Sequence, residues 1–262
     1  MRNIPIIFFI FLFSFTVISC AKKSDSSSSS SANGSPGTYQ LATNDYANGV
    51  ATDSSGNVYV TGGTKGGLDG NTSAGNTDLF VIKYNSSGTK QWTKQLGSSG
   101  RDSANGVATD SSGNVYVTGV TYGGLDWNTS AGANDLFVVK YNSSGTKEWT
   151  KQLGSASSDF ANGVATDSSG NVYVAGGTYG GLDGNTNAGN SDLFVVKYNS
   201  SGTKQWTKQL GSASRDYDYG VAADSSVNVS VSGDTYGGLD GKTNEGNADL
   251  FRGKYNSRGT KQ

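Results

Sequence analysis

From residue 38 onward, short apolar runs alternate with polar stretches rich in Gly, Ser, Asn and Asp. The first four runs are Gly49 to Thr52, Val58 to Thr61, Leu79 to Tyr84 and Gln91 to Leu96. Their brevity and their β-branched and aromatic content predict strands rather than helices. Asp53-Ser54-Ser55-Gly56-Asn57 joins the first two runs and Asn85-Ser86-Ser87-Gly88 the last two, each with the composition of a tight hairpin turn. One four-stranded antiparallel sheet follows. In Leu79-Phe80-Val81-Ile82-Lys83-Tyr84 both alternating sets are largely apolar, which predicts a strand covered on both faces. The fourth run alternates Trp92, Lys94 and Leu96 with Gln91, Thr93 and Gln95, as an outer strand half in water would. Trp92, Trp149 and Trp206 are therefore expected to anchor the rim.

The pattern repeats. Ala47-Asn48-Gly49-Val50-Ala51-Thr52-Asp53 returns at Ala104 and Ala161, and in altered form at Asp218, at a constant spacing of 57 residues. A period of this length signals a repeat architecture. Four-stranded units arranged around an axis predict an all-β fold, a β-propeller with blades at about 47–103, 104–160, 161–217 and 218–262 inside a domain spanning 38–262. An open solenoid is the alternative. The stretch at 47 to 62, Ala-Asn-Gly-Val-Ala-Thr-Asp-Ser-Ser-Gly-Asn-Val-Tyr-Val-Thr-Gly, resembles the bacterial SBBP-type (seven-bladed) β-propeller repeat. That family's core reads as a small-residue strand, Asp-x-x-Gly-Asn, then Val-Tyr-Val-x-Gly. The resemblance implies a propeller in an extracytoplasmic setting and no particular reaction.

The fourth repeat departs from the others. Val227 replaces the turn glycine, Ser230 the tyrosine, and Arg252-Gly253 stands where the first copy has Val81-Ile82. An arginine in a strand covered on both faces is costly unless paired, so this blade is expected to be partly exposed or loosely formed. The piece Gly37 to Ala42 is expected to pair as the missing outer strand of the last blade, closing a four-bladed monomer. Two chains completing an eight-bladed ring is the alternative.

The N-terminus adds a sorting signal. Arg2 precedes an apolar run from Ile4 to Ile18, and Ser19 and Cys20 follow. That is a cleaved leader, shorter than the ~20 residues that span a bilayer core. Val17-Ile18-Ser19-Cys20 resembles a bacterial lipobox, which implies a signal peptide at 1–19 and a lipidated Cys20. Residues 20–37, serine-rich and almost without apolar side chains, form a tether. Acyl chains at about 0.8 kcal/mol per buried methylene would hold such a lipoprotein on a membrane. The expected location is the bacterial cell envelope, at the outer membrane or cell surface.

Charge and composition then remove function classes. With 20 Lys and Arg against 21 Asp and Glu, the chain offers no electrostatic reason for a nucleic-acid partner. It has no histidine, and Cys20 is its sole cysteine, so imidazole chemistry, thiolate zinc and an intramolecular disulfide are excluded.

Alternating connectivity sends the tight turns to one face of the array and the longer loops, such as Gly66 to Asp78, to the other. In that loop Asp69, Asn71, Ser73 and Asp78 present oxygens loosely like a calcium site, as do Asp183, Asn185, Asn187 and Asp192 in the third copy. Lys242 occupies the Asn71 position of the fourth copy and would repel a cation, which favours Asx turns instead. Trp127 replaces the glycine found at 70, 184 and 241, and Arg101 and Arg215 occupy blade-to-blade links. Aromatics and arginines concentrate at binding hot spots, so these three are the expected contacts for a protein or glycan ligand. A calcium-stabilised structural domain is the second alternative. A glycosidase-like enzyme is the third, opposed by the recurrence of the acidic residues at turn positions in every repeat. No enzymatic role and no cofactor are expected.

Overall fold

The computed structural model of the chain describes residues 44–262. Cys20, the tether and the segment 37–42 lie outside these residues. The first sheet contains β1 (Tyr46–Thr52), β2 (Val58–Thr64), β3 (Asp78–Tyr84) and β4 (Lys90–Leu96), hydrogen-bonded in chain order and antiparallel throughout. The second holds β5 (Asp102–Thr109), β6 (Val115–Thr121), β7 (Asp135–Tyr141) and β8 (Lys147–Leu153). The third repeats the order with β9 (Asp159–Thr166), β10 (Val172–Thr178), β11 (Asp192–Tyr198) and β12 (Lys204–Leu210). The fourth has three strands, β13 (Asp216–Ala223), β14 (Val229–Thr235) and β15 (Asp249–Tyr255). Its missing outer strand is begun by Lys261, which bridges Tyr255 just as Lys90 pairs with Tyr84.

Hairpin turns are fixed by their first residue. Asp53 accepts hydrogen bonds from the Ser55 and Asn57 amides, the Asn57 side chain and the Tyr59 hydroxyl, and Asp110 and Asp167 do the same in their own repeats. The turn then needs a left-handed residue, supplied by Gly56, Gly113 and Gly170. Val227 is forced into that conformation at φ 66° in the fourth copy.

The sheets stack face to face. Tyr59, Leu79 and Val81 on one face of the first blade pack against Val115, Val117, Phe137, Val139 and Tyr141 of the second, and the same pattern recurs at the next two junctions. Each fully buried aromatic or large aliphatic side chain there contributes about 1.5–3 kcal/mol. The rim tryptophans sit across these junctions. Trp92 lies 6.0 Å from the ring of Tyr59 in its own blade and 6.5 Å from that of Tyr141 in the next.

The first strands line the inner edge of the stack, β1 against β5, β5 against β9 and β9 against β13. Gly106 permits the close approach, since a Cβ there would stand 3.0 Å from the Asn162 carbonyl oxygen. A β-bulge interrupts each first strand, at Asn48, Asn105 and Asn162 in the first three blades. A bulge re-aims one side chain, and here the amides of the three asparagines donate to the carbonyls of Ala104 (2.9 Å), Ala161 (2.9 Å) and Asp218 (2.6 Å) in the following blade.

The fourth blade carries its polar departures on β14 and β15 on one face, whereas Gly253 lies on the other. Ser230, Ser232, Leu250 and Arg252 point away from the third blade, while Val229, Val231, Phe251 and Tyr255 point toward it and are buried. Arg252 is exposed, so the expected penalty of an arginine in a doubly covered strand does not arise: this strand is covered on one side only. Among the described residues β1 and β13 share no extensive contact.

Candidate functional site

At the edge where the longer loops emerge, every junction is built from the same three positions. The link before the first strand supplies Arg101, Ser158 and Arg215. The residue after the second strand supplies Tyr122, Tyr179 and Tyr236, with Lys65 in the first blade. The second residue of the first strand position supplies Tyr46, Ser103, Phe160 and Tyr217. The backbone pins them together. Tyr122, Tyr179 and Tyr236 donate their amides to the carbonyls of Arg101, Ser158 and Arg215, each at 2.9 Å. Parallel bridges then tie the links to Thr77, Asn134 and Ser191 at the end of the preceding blade's long loop.

The result is a row of aromatic rings crossing the junctions, half in water, with two arginines set in it. Tyr122 is 52% exposed, Tyr179 40% and Tyr236 45%. Phe160 and Tyr179 rings lie 6.2 Å apart, and Tyr217 meets Tyr236 edge-on at the same distance. The Arg101 guanidinium donates to the Tyr46 hydroxyl at 3.4 Å, and that hydroxyl donates to Ser103 Oγ at 3.2 Å. This hydrogen bond, ahead of all other influences, holds the Arg101 guanidinium above its ordinary pKa. Burial and then the neighbouring Tyr217 push the Tyr179 hydroxyl up, with Arg215 opposing.

The row rests on buried carboxyls. Asp102 takes the Ser98 amide at 2.6 Å, the Ser98 hydroxyl and the Thr121 hydroxyl, and Asp159 repeats the arrangement with Ser155 and Thr178. Burial raises the pKa of both, and the hydrogen bonds offset it only in part. These groups fix the link backbone and do not reach its surface.

Trp127 is placed elsewhere. It is fully exposed, at φ 67°, where Gly70, Gly184 and Gly241 adopt the same left-handed conformation at no cost. Its neighbour Asp126 pairs with Lys147 on β8, because the long loop folds back along the outer strand, with Leu125 donating its amide to Gln152. Trp127 thus stands at the outer edge of the second blade, and Arg101 at the inner edge, where β5 begins. Arg215 occupies the same place as Arg101 two blades on. The structure joins each arginine to tyrosines and does not bring Trp127 to either.

The oxygen-bearing loop residues are turned to partners of their own. Asp69 is ion-paired with Lys90 at 2.5 Å and takes the Thr93 hydroxyl; burial raises its pKa, but these two partners outweigh it and leave the carboxyl below its ordinary value. Asn71 donates to Leu68, Ser73 to Gly75, and Asp78 accepts from Ala74, Gly75 and Gln95. In the third copy Asp183 meets Lys204 and Thr207, Asn185 donates to Leu182, Asn187 to Tyr179, and Asp192 accepts from Ala188 and Gln209. Among the described residues no group of three or more Asp, Glu, Cys or His side chains is gathered around a point that could hold a metal.

Four segments of the chain, residues 40–69, 91–126, 148–183 and 205–240, match the SBBP beta-propeller repeat, and together they make up more than half of it. The chain belongs to the SBBP beta-propeller repeat family. Among curated proteins, this SBBP-repeat chain is 27% identical to the regulatory protein FlaEY of Caulobacter vibrioides over 186 residues, 63% of the chain and 20% of that protein. It is 27% identical to an uncharacterized WD repeat-containing protein of Acanthamoeba polyphaga mimivirus over 174 residues, 55% of the chain and 12% of that protein. The chain thus spans a fifth or less of the length of these relatives. Among solved structures it is similar to a gluconolactonase from Xanthomonas campestris, with a TM-score of 0.43 and 13% identity over 82% of this chain and 60% of that one. A luciferin-regenerating enzyme aligns with a TM-score of 0.41 and 15% identity over 80% and 61%.

The tyrosines of the row escape a reading of the sequence that weighs each repeat against the others, because they recur and so look structural. A signal was present in Tyr-Gly-Gly-Leu at 122, 179 and 236. A bulky ring recurring at a strand end, just before two glycines, has in its own hairpin at most one aromatic neighbour, Phe160 for Tyr179 and Tyr217 for Tyr236.

Proposed function

We propose that the chain is a membrane-anchored, extracytoplasmic binding scaffold, which holds a protein or glycan ligand against its aromatic row without transforming it. The observation that carries this reading is the row itself: Tyr122, Tyr179 and Tyr236 keep 40 to 52% of their surface in water on a backbone pinned at every junction. Rigid aromatics with a polar tip supply contact area at low entropic cost. A role without catalysis is supported by the carboxyls beneath the row, Asp102 and Asp159, being spent on backbone and hydroxyl donors below the surface. Acylation of Cys20 would hang the scaffold from the membrane by its tether.

Two measurements test the reading. Cells fed a palmitate analogue should label the wild type and not a Cys20→Ser variant; equal labelling would remove the anchor. Ligands captured by pull-down or on a glycan array should bind the Tyr122→Ala/Tyr179→Ala double variant at least about tenfold more weakly, as loss of two central aromatic contacts implies. Trp127→Gly should change binding by no more than about twofold, as expected of a residue at the periphery. Unchanged binding by the double variant would remove the row as the site.

A further inference from the structure

At its N-terminal end the row opens into a cavity of about 540 Å³, lined by Asn44, Asp45, Tyr46, Lys65, Thr77 and Arg101. Lys65 stands where the other three repeats place Tyr122, Tyr179 and Tyr236, so the repeat exchanges an aromatic for a cation at a junction that already carries an arginine. Neither Lys65 nor Arg101 is in an ion pair among the described residues. The Asp45 carboxyl also lines the cavity, its oxygens buried and without a hydrogen-bond partner, so an incoming acid must lie against Lys65 and Arg101 on the side away from Asp45. Arg101 is oriented by its hydrogen bond to Tyr46, so its fork is aimed before a ligand arrives.

We propose that this cavity is a subsite for the carboxylate of an acidic sugar, and that the ligand of the row is an anionic oligosaccharide. The assignment rests on the scaffold reading and names its ligand. A sugar ring offers a C–H face to tyrosine and hydroxyls to its polar tip, and a uronic or sialic acid adds a planar carboxylate matched to a guanidinium. Beyond the cavity the rings of Tyr122, Phe160 and Tyr179 continue the platform, and Arg215 offers a second acid contact beside Tyr217. The platform ends in the fourth blade, where Asp234 hydrogen-bonds Tyr219 and places a negative charge near Tyr236.

The test is calorimetric titration of the full-length protein in detergent with a panel of uronate- and sialate-bearing oligosaccharides, each paired with its neutral methyl ester. At least one acid should bind, with its ester at least tenfold weaker. Lys65→Ala and Arg101→Ala should each weaken the acid about tenfold, the scale of one charge-assisted contact. Ser158→Arg, which supplies the cation missing from the middle junction, should tighten it. If no acid binds, if esters bind equally, or if all three variants bind as the wild type does, the assignment is overturned. Loss of a protein or neutral glycan ligand in Tyr122→Ala/Tyr179→Ala, with no acid bound by the wild type, would leave the scaffold reading standing and remove this one.

Discussion

Asp218 puts a carboxyl where Ala104 and Ala161 pack into the blade junctions. It is fully buried, and neither of its oxygens has a side-chain partner. Burial drives its pKa up to about 8, against which a single backbone N–H from Gly220 does little. The group is therefore neutral in the folded protein over a range where the unfolded chain ionises. Below about pH 4 both states hold the proton and the residue is silent. From there to about pH 8 the folded state alone keeps it, so stability falls by about 1.4 kcal/mol per pH unit and levels off above. Asp218→Ala should accordingly raise the melting temperature little at pH 4 and progressively more up to pH 8. A gain that is equal at both ends of that range would contradict the account.

Between strands and blades, the bulged asparagine clamps each blade to the next. Asn105→Ala should cost about 1 kcal/mol in denaturant unfolding, the worth of one partly buried hydrogen bond. Tyr219→Asn, which restores the asparagine in the fourth blade, should return nothing, because among the described residues no following blade offers it a carbonyl. A stabilising Tyr219→Asn would point to a neighbour on that side. The strands themselves were legible, since alternation and turn chemistry are local: β2 begins at Val58 and β4 ends at Leu96, as the hydrophobic pattern predicts. The clamp was not. Ala-Asn-Gly reads as a small-residue strand until the bulge at Asn105 is seen to turn the amide out of its own sheet. The course of the long loop was hidden for a related reason, being set by Gln152 and Lys147 on a strand some twenty residues further along. Arg101 lies in a blade-to-blade link, and its tyrosine partners depend on which blades become neighbours.

On the scale of the whole molecule, the fourth repeat turns a largely polar face away from the third blade. Ser230, Ser232, Asp234 and Arg252 fall on strands β14 and β15 at positions facing away from the third blade, while the face toward that blade keeps Val229, Val231, Phe251 and Tyr255 but exchanges a buried aliphatic for Gly253, and β13 carries the buried Asp218. The asparagine clamp is also lost in this blade, with Tyr219 64% exposed in its place. Repeat arrays need a terminal unit with a polar outer face to stay soluble. In this account the described blades present their aromatic row on a chain that is a monomer. Sedimentation of residues 38–262 tests that claim most directly, alongside a variant in which Ser230→Tyr, Ser232→Thr, Asp234→Gly and Arg252→Val restore the outward face of the first repeat. The wild type should sediment as a monomer and the variant should self-associate through its newly apolar end. A wild-type dimer, or a variant that stays monomeric and melts higher because that face is covered within its own chain, would contradict it.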